Sequence, residues 1–139
     1  MNWKRLLLTA LAVFIALQLT DFIIHSRMLS ETYSLLQNNG VFRPEAEMTD
    51  YMWVMIVTTI VFSFFFAFIF ARGYEGRGLL EGVRYGIYVG FLVVFVSSFN
   101  SFVIYPLPYS LAWIWIISGF IQMIIAGVVA SLIYKPKST

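Results

Sequence analysis

The chain has 139 residues, enough for one domain, with 60% hydrophobic and 12% charged residues, a formal net charge of +2 and no cysteine. A mean hydropathy of +0.84 excludes an ordinary soluble domain: a chain this short cannot enclose that much apolar surface, and soluble domains carry about 25% charged residues. The absence of cysteine excludes disulfides, thiolate metal sites, iron–sulfur clusters and thiol catalysis, and the small net charge without a basic patch argues against a nucleic-acid partner.

Four segments are apolar and long enough for membrane helices, which need about 20 residues. They run from about Lys4 to Met28, Tyr51 to Ala71, Leu80 to Tyr105 and Leu111 to Tyr134. The expected fold is therefore an all-α, integral membrane four-helix bundle forming a single domain over 1–139. The first segment reads as a retained helix, because no small-x-small cleavage site precedes the polar residues that follow it.

Between the first two segments, Met28, Leu29, Tyr33 and Leu36 recur at helical spacing among polar residues. This predicts a short amphipathic helix in the first outer loop. Gly40 is suited to a left-handed cap, and Pro44 to the start of the next helix. Glu45, Glu47 and Asp50 then complement that helix's dipole. The phenylalanines from Phe62 to Phe70 cover all faces of the second helix and read as lipid contacts.

Lys4, Arg5, Arg72, Arg77, Arg84, Lys135 and Lys137 lie at one end of the expected bundle. At the other end, Arg27 and Arg43 are balanced by Glu31, Glu45, Glu47 and Asp50, and the Pro106-Leu107-Pro108 turn is uncharged. The positive-inside rule then places both termini in the cytoplasm. Tyr105, Tyr109, Trp113 and Trp115 read as an outer aromatic belt. Glu81 and Arg84 read as an ion pair within one helix.

Gly78, Gly82, Gly86 and Gly90 recur every fourth residue on the third helix, a glycine-zipper pattern. Ser118, Gln122, Ala126 and Ala130 have the same spacing on the fourth, with Gly119 and Gly127 beside them. In lipid, small residues mark where helices approach closely. The expected contact is between helices three and four, and a homodimer seam on the same glycines is the alternative.

The polar residues at depth are the candidate ligand-binding set. Asp21 and His25 are four apart and share a face of helix one. At about 1.5 Å per residue, Asp21 lies about 24 Å from Arg5, inside a hydrocarbon core about 30 Å thick. Asn100 on helix three and Gln122 on helix four complete the expected outer-side polar pocket. The equal spacing of Arg5 to Asp21 and of Arg84 to Asn100 suggests two related hairpins. An ionisable group at such depth should face the bundle or water, but a simple Asp21–His25 contact in the interfacial zone accounts for the pair as well. His25 is the only histidine, so no metal or haem site is expected within one chain. No catalytic arrangement and no cofactor are expected.

Several segments resemble a group of small, uncharacterised four-helix proteins of bacterial inner membranes. The residues carrying the likeness are His25 with Leu29 and Tyr33, Arg43 to Met48, Gly78 to Gly86, and Pro106-Leu107-Pro108. The resemblance implies four helices and a bacterial inner membrane, and no activity. The expected function is a structural or accessory membrane subunit, with lipids, a second copy or a larger complex as partners. The alternative is a small transporter or a protein that binds a quinone or other lipophilic ligand.

Overall fold

The computed structural model describes residues 1–136, so Lys137, counted above among the basic residues of one end, lies outside the described residues. Among the described residues the chain is all-helical. Four helical segments are long and apolar enough to cross a membrane: Trp3–Met28, Glu45–Arg72, Leu79–Ile104 and Tyr109–Ile133. This is the pattern of a multi-pass membrane protein.

The first segment begins with α1 (Trp3–Asp21), capped by Asn2, whose Oδ1 accepts from the Arg5 N–H at 3.2 Å. It continues as a wider π-helical stretch, Phe22–Met28. The short amphipathic helix follows as α2 (Ser30–Asn38). Gly40, at φ 71°, ends it. The Val41 N–H reaches the Leu36 carbonyl at 2.9 Å, and the Gly40 N–H reaches Gln37 at 3.0 Å. This crossed pair satisfies carbonyls that the helix end would otherwise leave free.

The second segment, α3 (Glu45–Arg72), starts directly after Pro44, six residues before the expected Tyr51. The acidic turn Glu45 to Asp50 is thus its first turn and a half rather than a linker. The third segment comprises α4 (Leu79–Val89), a π-helical stretch Gly90–Phe95, and α5 (Val96–Ile104). The fourth is α6 (Tyr109–Ile133).

The segments pack in the order α3, α1, α6, α4 around the bundle. Glycine explains the closest approach. A Cβ on Gly82 would strike the Gly127 carbonyl, and one on Gly127 the Gly82 carbonyl. A Cβ on Gly86 would lie 2.6 Å from the Ile124 Cα, and one on Gly90 would lie 2.8 Å from the Phe120 ring. Gly119 gives room to Val94. Ala126 and Ala130 are fully enclosed beside this seam. Gly78 differs from the other three zipper glycines. It is the N-cap of α4, at φ 68° and ψ −142°, and an added Cβ would meet nothing within 4 Å. Its glycine is needed for a backbone conformation and not for helix contact.

Two clusters form the core. At the basic end, Leu6, Val13 and Leu17 of α1 meet Phe66, Ala67 and Phe70 of α3, Met123 and Ala126 of α6, and Tyr134. Phe66 and Phe70 are each 2% exposed, so these two of the six phenylalanines are core residues and not lipid contacts. Both pack edge-on against Tyr85, whose O–H donates to the Phe66 carbonyl at 2.8 Å. That contact ties α3 to α4 at this end. A second cluster, Ile24, Leu29, Leu36, Leu107 and Leu111, seats α2 on the bundle at the opposite end.

Glu81 does not pair with Arg84. Its buried carboxylate accepts from the Glu75 and Arg77 N–H groups at 2.6 and 2.8 Å and so clamps the loop that precedes α4. Arg84 instead reaches Glu75 at 2.8 Å, and Arg77 reaches the same Glu75 oxygen at 2.9 Å. The unmet loop N–H groups are the stronger demand on a buried carboxylate, since leaving them unpaired costs more than an exposed ion pair returns.

Candidate functional site: a polar cleft at the α2 end

The α2 end is built differently from the basic end. Every residue of α3 from Glu45 to Thr58 is exposed. Over this length α3 is not covered by its neighbours, and open space lies between it, the end of the first span, Tyr33 and Trp115. A branched cleft results, with α1 and α6 as its floor.

Asp21 closes α1 and faces this cleft. Its Oδ1 accepts from Gln122 Nε2 at 2.7 Å, and the same amide group donates to Thr20 Oγ1 at 3.0 Å. The network fixes which way the Gln122 amide points. A carboxylate only accepts, and the Thr20 hydroxyl spends its own hydrogen on the Ala16 carbonyl at 2.9 Å. Both therefore require donors, which only the amide nitrogen supplies.

His25 lies one turn further along. Trp115 Nε1 donates to Tyr33 Oη at 2.8 Å. Indole nitrogen only donates, so Tyr33 Oη is the acceptor there, and its other partner is His25 Nδ1. His25 Nε2 faces Asp21 Oδ1 at 3.8 Å. That is beyond hydrogen-bond distance. The His25 and Tyr33 rings stack at 5.8 Å, and Phe42 packs edge-on to Tyr33 and parallel to Trp115. Burial pushes the Tyr33 hydroxyl up to about 12, partly offset by the Trp115 N–H it accepts.

The cleft has three adjoining lobes. The largest, about 590 Å³, lies between Asp21, His25, Tyr33 and Trp115 on one side and Met48, Met52 and Met55 on the other. A second, about 310 Å³, runs from His25 and Gln122 toward Ser97, Ser98 and Ser101. A third, about 280 Å³, lies under Asp21, Thr59 and Gln122. The largest lobe is in the size range of small-ligand sites, and its mostly apolar lining with a few convergent polar groups is typical of them.

The structure thus brings together Asp21, His25 and Gln122. It does not bring in Asn100, which is exposed and lines none of these lobes. The reason is the π-helical stretch Gly90–Phe95. Its wider turns advance the chain by an extra residue and rotate α5, so the serines face the cleft where Asn100 was expected. The two hairpins are therefore unlike at this depth, since Asp21 points in and Asn100 points out. Tyr33 and Trp115 also join the site. Trp115 has the sequence position of an aromatic-belt residue, yet it turns inward. Tyr33 lies on the apolar stripe of the amphipathic loop helix, the sequence signal that points it at the bundle. Comparison with family models, with curated proteins and with solved structures gives no match.

Proposed function

We propose that the protein is a four-span protein of a bacterial inner membrane, with both termini cytoplasmic, that binds a lipophilic molecule bearing a polar head in the cleft at its outer end. The basic residues at one end support the orientation. The exposed apolar residues along every span, such as Leu11, Ile60, Leu92 and Ile117, support lipid as the surrounding solvent.

The observation that carries the binding reading is the convergence of Asp21, His25, Gln122, Tyr33 and Trp115, from three separate elements, on a cavity whose far wall is apolar. A polar network that only stabilised the bundle would be packed over. This one is left open, with the Asp21 and His25 side chains about two-fifths exposed. Their cost at this depth is warranted by a ligand. The π-helical stretches Phe22–Met28 and Gly90–Phe95 both border the cleft, and such wide turns occur often at functional sites. Self-association through glycine has less support, because Gly82, Gly86 and Gly127 are enclosed by the chain's own helices.

Native mass spectrometry of protein extracted in mild detergent tests this. A small lipophilic adduct should accompany the wild type and be weakened or lost in Thr59→Phe, whose ring projects where two lobes of the cleft meet. It should remain on Leu92→Phe, changed on the outer surface. No adduct, or an adduct equally present on Thr59→Phe, contradicts the reading.

A further inference from the structure

The lining of the cleft also states what the ligand's head must carry. Several donors that face it are already spent. Trp115 gives its N–H to Tyr33 Oη, which also pairs with His25 Nδ1. Gln122 gives its amide hydrogens to Asp21 and Thr20. Ser118 and Ser97 donate to the carbonyls of Ile114 and Val94. Gln18, Ser26, Ser98 and Ser101 make no side-chain hydrogen bond among the described residues, so donors remain, and the charged group left for a ligand is the Asp21 carboxylate. Its Oδ2 has no hydrogen-bond partner among the described residues, and the side chain of basic type beside it is His25, 3.8 Å away.

Among the described residues no Lys or Arg pairs with this carboxylate. The surrounding end of the bundle has the same sign. Between the first span and the first turns of α3, Glu31, Glu45, Glu47 and Asp50 outnumber Arg27 and Arg43, and Arg43 is already engaged with Glu47 and the Tyr51 ring. The walls suit an organic cation. Tyr33, Phe42 and Trp115 line it with aromatic rings, and Met48, Met52 and Met55 offer an adaptable apolar bed. An anion would meet the Asp21 carboxylate, and a neutral head would leave that charge unanswered.

Resting on the binding reading above, we propose that the cleft takes an amphipathic cation, its protonated amine on the Asp21 carboxylate and its apolar tail along the methionine face of α3. Such an amine is carried both by free alkylamines and by ethanolamine-headed lipids. The net acidic charge of this end of the bundle favours the free amine over a head that also carries a phosphate.

The test is titration of wild-type protein in dodecyl maltoside with dodecylamine, dodecanol and a short-chain phosphatidylethanolamine, read by calorimetry. Dodecylamine should bind about tenfold tighter than dodecanol, the scale of one partly screened charge pair. Asp21→Asn, which keeps an acceptor for Gln122, should bring the two within about twofold. The wild-type comparison decides the matter even if that variant does not fold. Tighter binding of the phosphatidylethanolamine than of dodecylamine overturns the free amine and leaves the ammonium site standing. Equal binding of amine and alcohol to the wild type overturns the cation and leaves the lipophilic cleft standing. No binding by any of the three overturns both.

Discussion

Gln122 and Asp21 stand 101 residues apart in the chain and are joined by a hydrogen bond of 2.7 Å from Nε2 to Oδ1. This bond links the first and last spans at the level where the bundle opens. It also orients the carboxylate, leaving one oxygen turned toward the cleft. Replacing Gln122 by Leu removes donors from both Asp21 and Thr20. The expected loss is about 1–3 kcal/mol, the usual cost of leaving a half-buried charged acceptor unmet. A lowered melting temperature in detergent checks it, and an unchanged one removes the bond from the account.

The glycine seam predicts a sharper effect. At Gly86 a side chain would meet the backbone of Met123 and Ile124, which cannot rotate aside. Gly86→Leu should therefore cost more than about 3 kcal/mol and prevent accumulation of folded protein. Gly73→Ala, where the nearest atom is at 3.7 Å, should melt like the wild type. Equal melting of the two variants would show that α4 and α6 are not packed backbone to backbone.

Tyr33 is the bolt between α2 and the bundle. Tyr33→Phe strands the Trp115 N–H and His25 Nδ1 together, at an expected cost of about 1–2 kcal/mol. Hydrogen exchange across Ser30–Asn38 should quicken while exchange in α6 stays slow. The Tyr33 hydroxyl is held up to about 12 from an ordinary value of 10.0. Its folded value lies above its unfolded one, so its contribution is whole below pH 10 and declines as pH rises toward 12. Protection of α2 lost well below pH 10 would argue against this bond.

The basic end should respond to acid. The hydrogen bond from Arg84 holds the Glu75 carboxyl below its ordinary value of 4.5. Because the folded value is depressed, the stabilisation is fully present above pH 4.5 and fades as pH falls through the lower folded value. Melting temperature should drop in that window for the wild type, and the drop should be shallower for Glu75→Gln. Identical acid profiles would mean that Glu75 contributes nothing to folding.

Much of this architecture is legible in the residues themselves. Hydropathy marks four spans, the stripe of Leu29, Tyr33 and Leu36 marks α2, and the spacing of Gly82, Gly86 and Gly127 marks the tight seam. These are local or periodic signals, and periodicity survives without knowledge of the partner. Asp21, His25 and Gln122 stand out because polar groups are costly in apolar helices. Asn100 stands out for the same reason, yet the π-helical stretch before it breaks the phase on which depth and facing are judged. Trp115 has the composition of a belt residue, and only a neighbour 82 positions away, Tyr33, turns it inward. Glu81 shows the same limit, since its partners are backbone groups of the Glu75 and Arg77 loop, which no side-chain pattern records.

Labelling with a diazirine-bearing dodecanol, mapped by mass spectrometry, tests the cleft most directly. Labels should concentrate on Met48, Met52, Met55 and Trp115, be removed by excess dodecanol and be absent from Thr59→Phe. Labels spread evenly over outward residues such as Leu7, Leu11 and Leu92, unaffected by competitor or by Thr59→Phe, would contradict it.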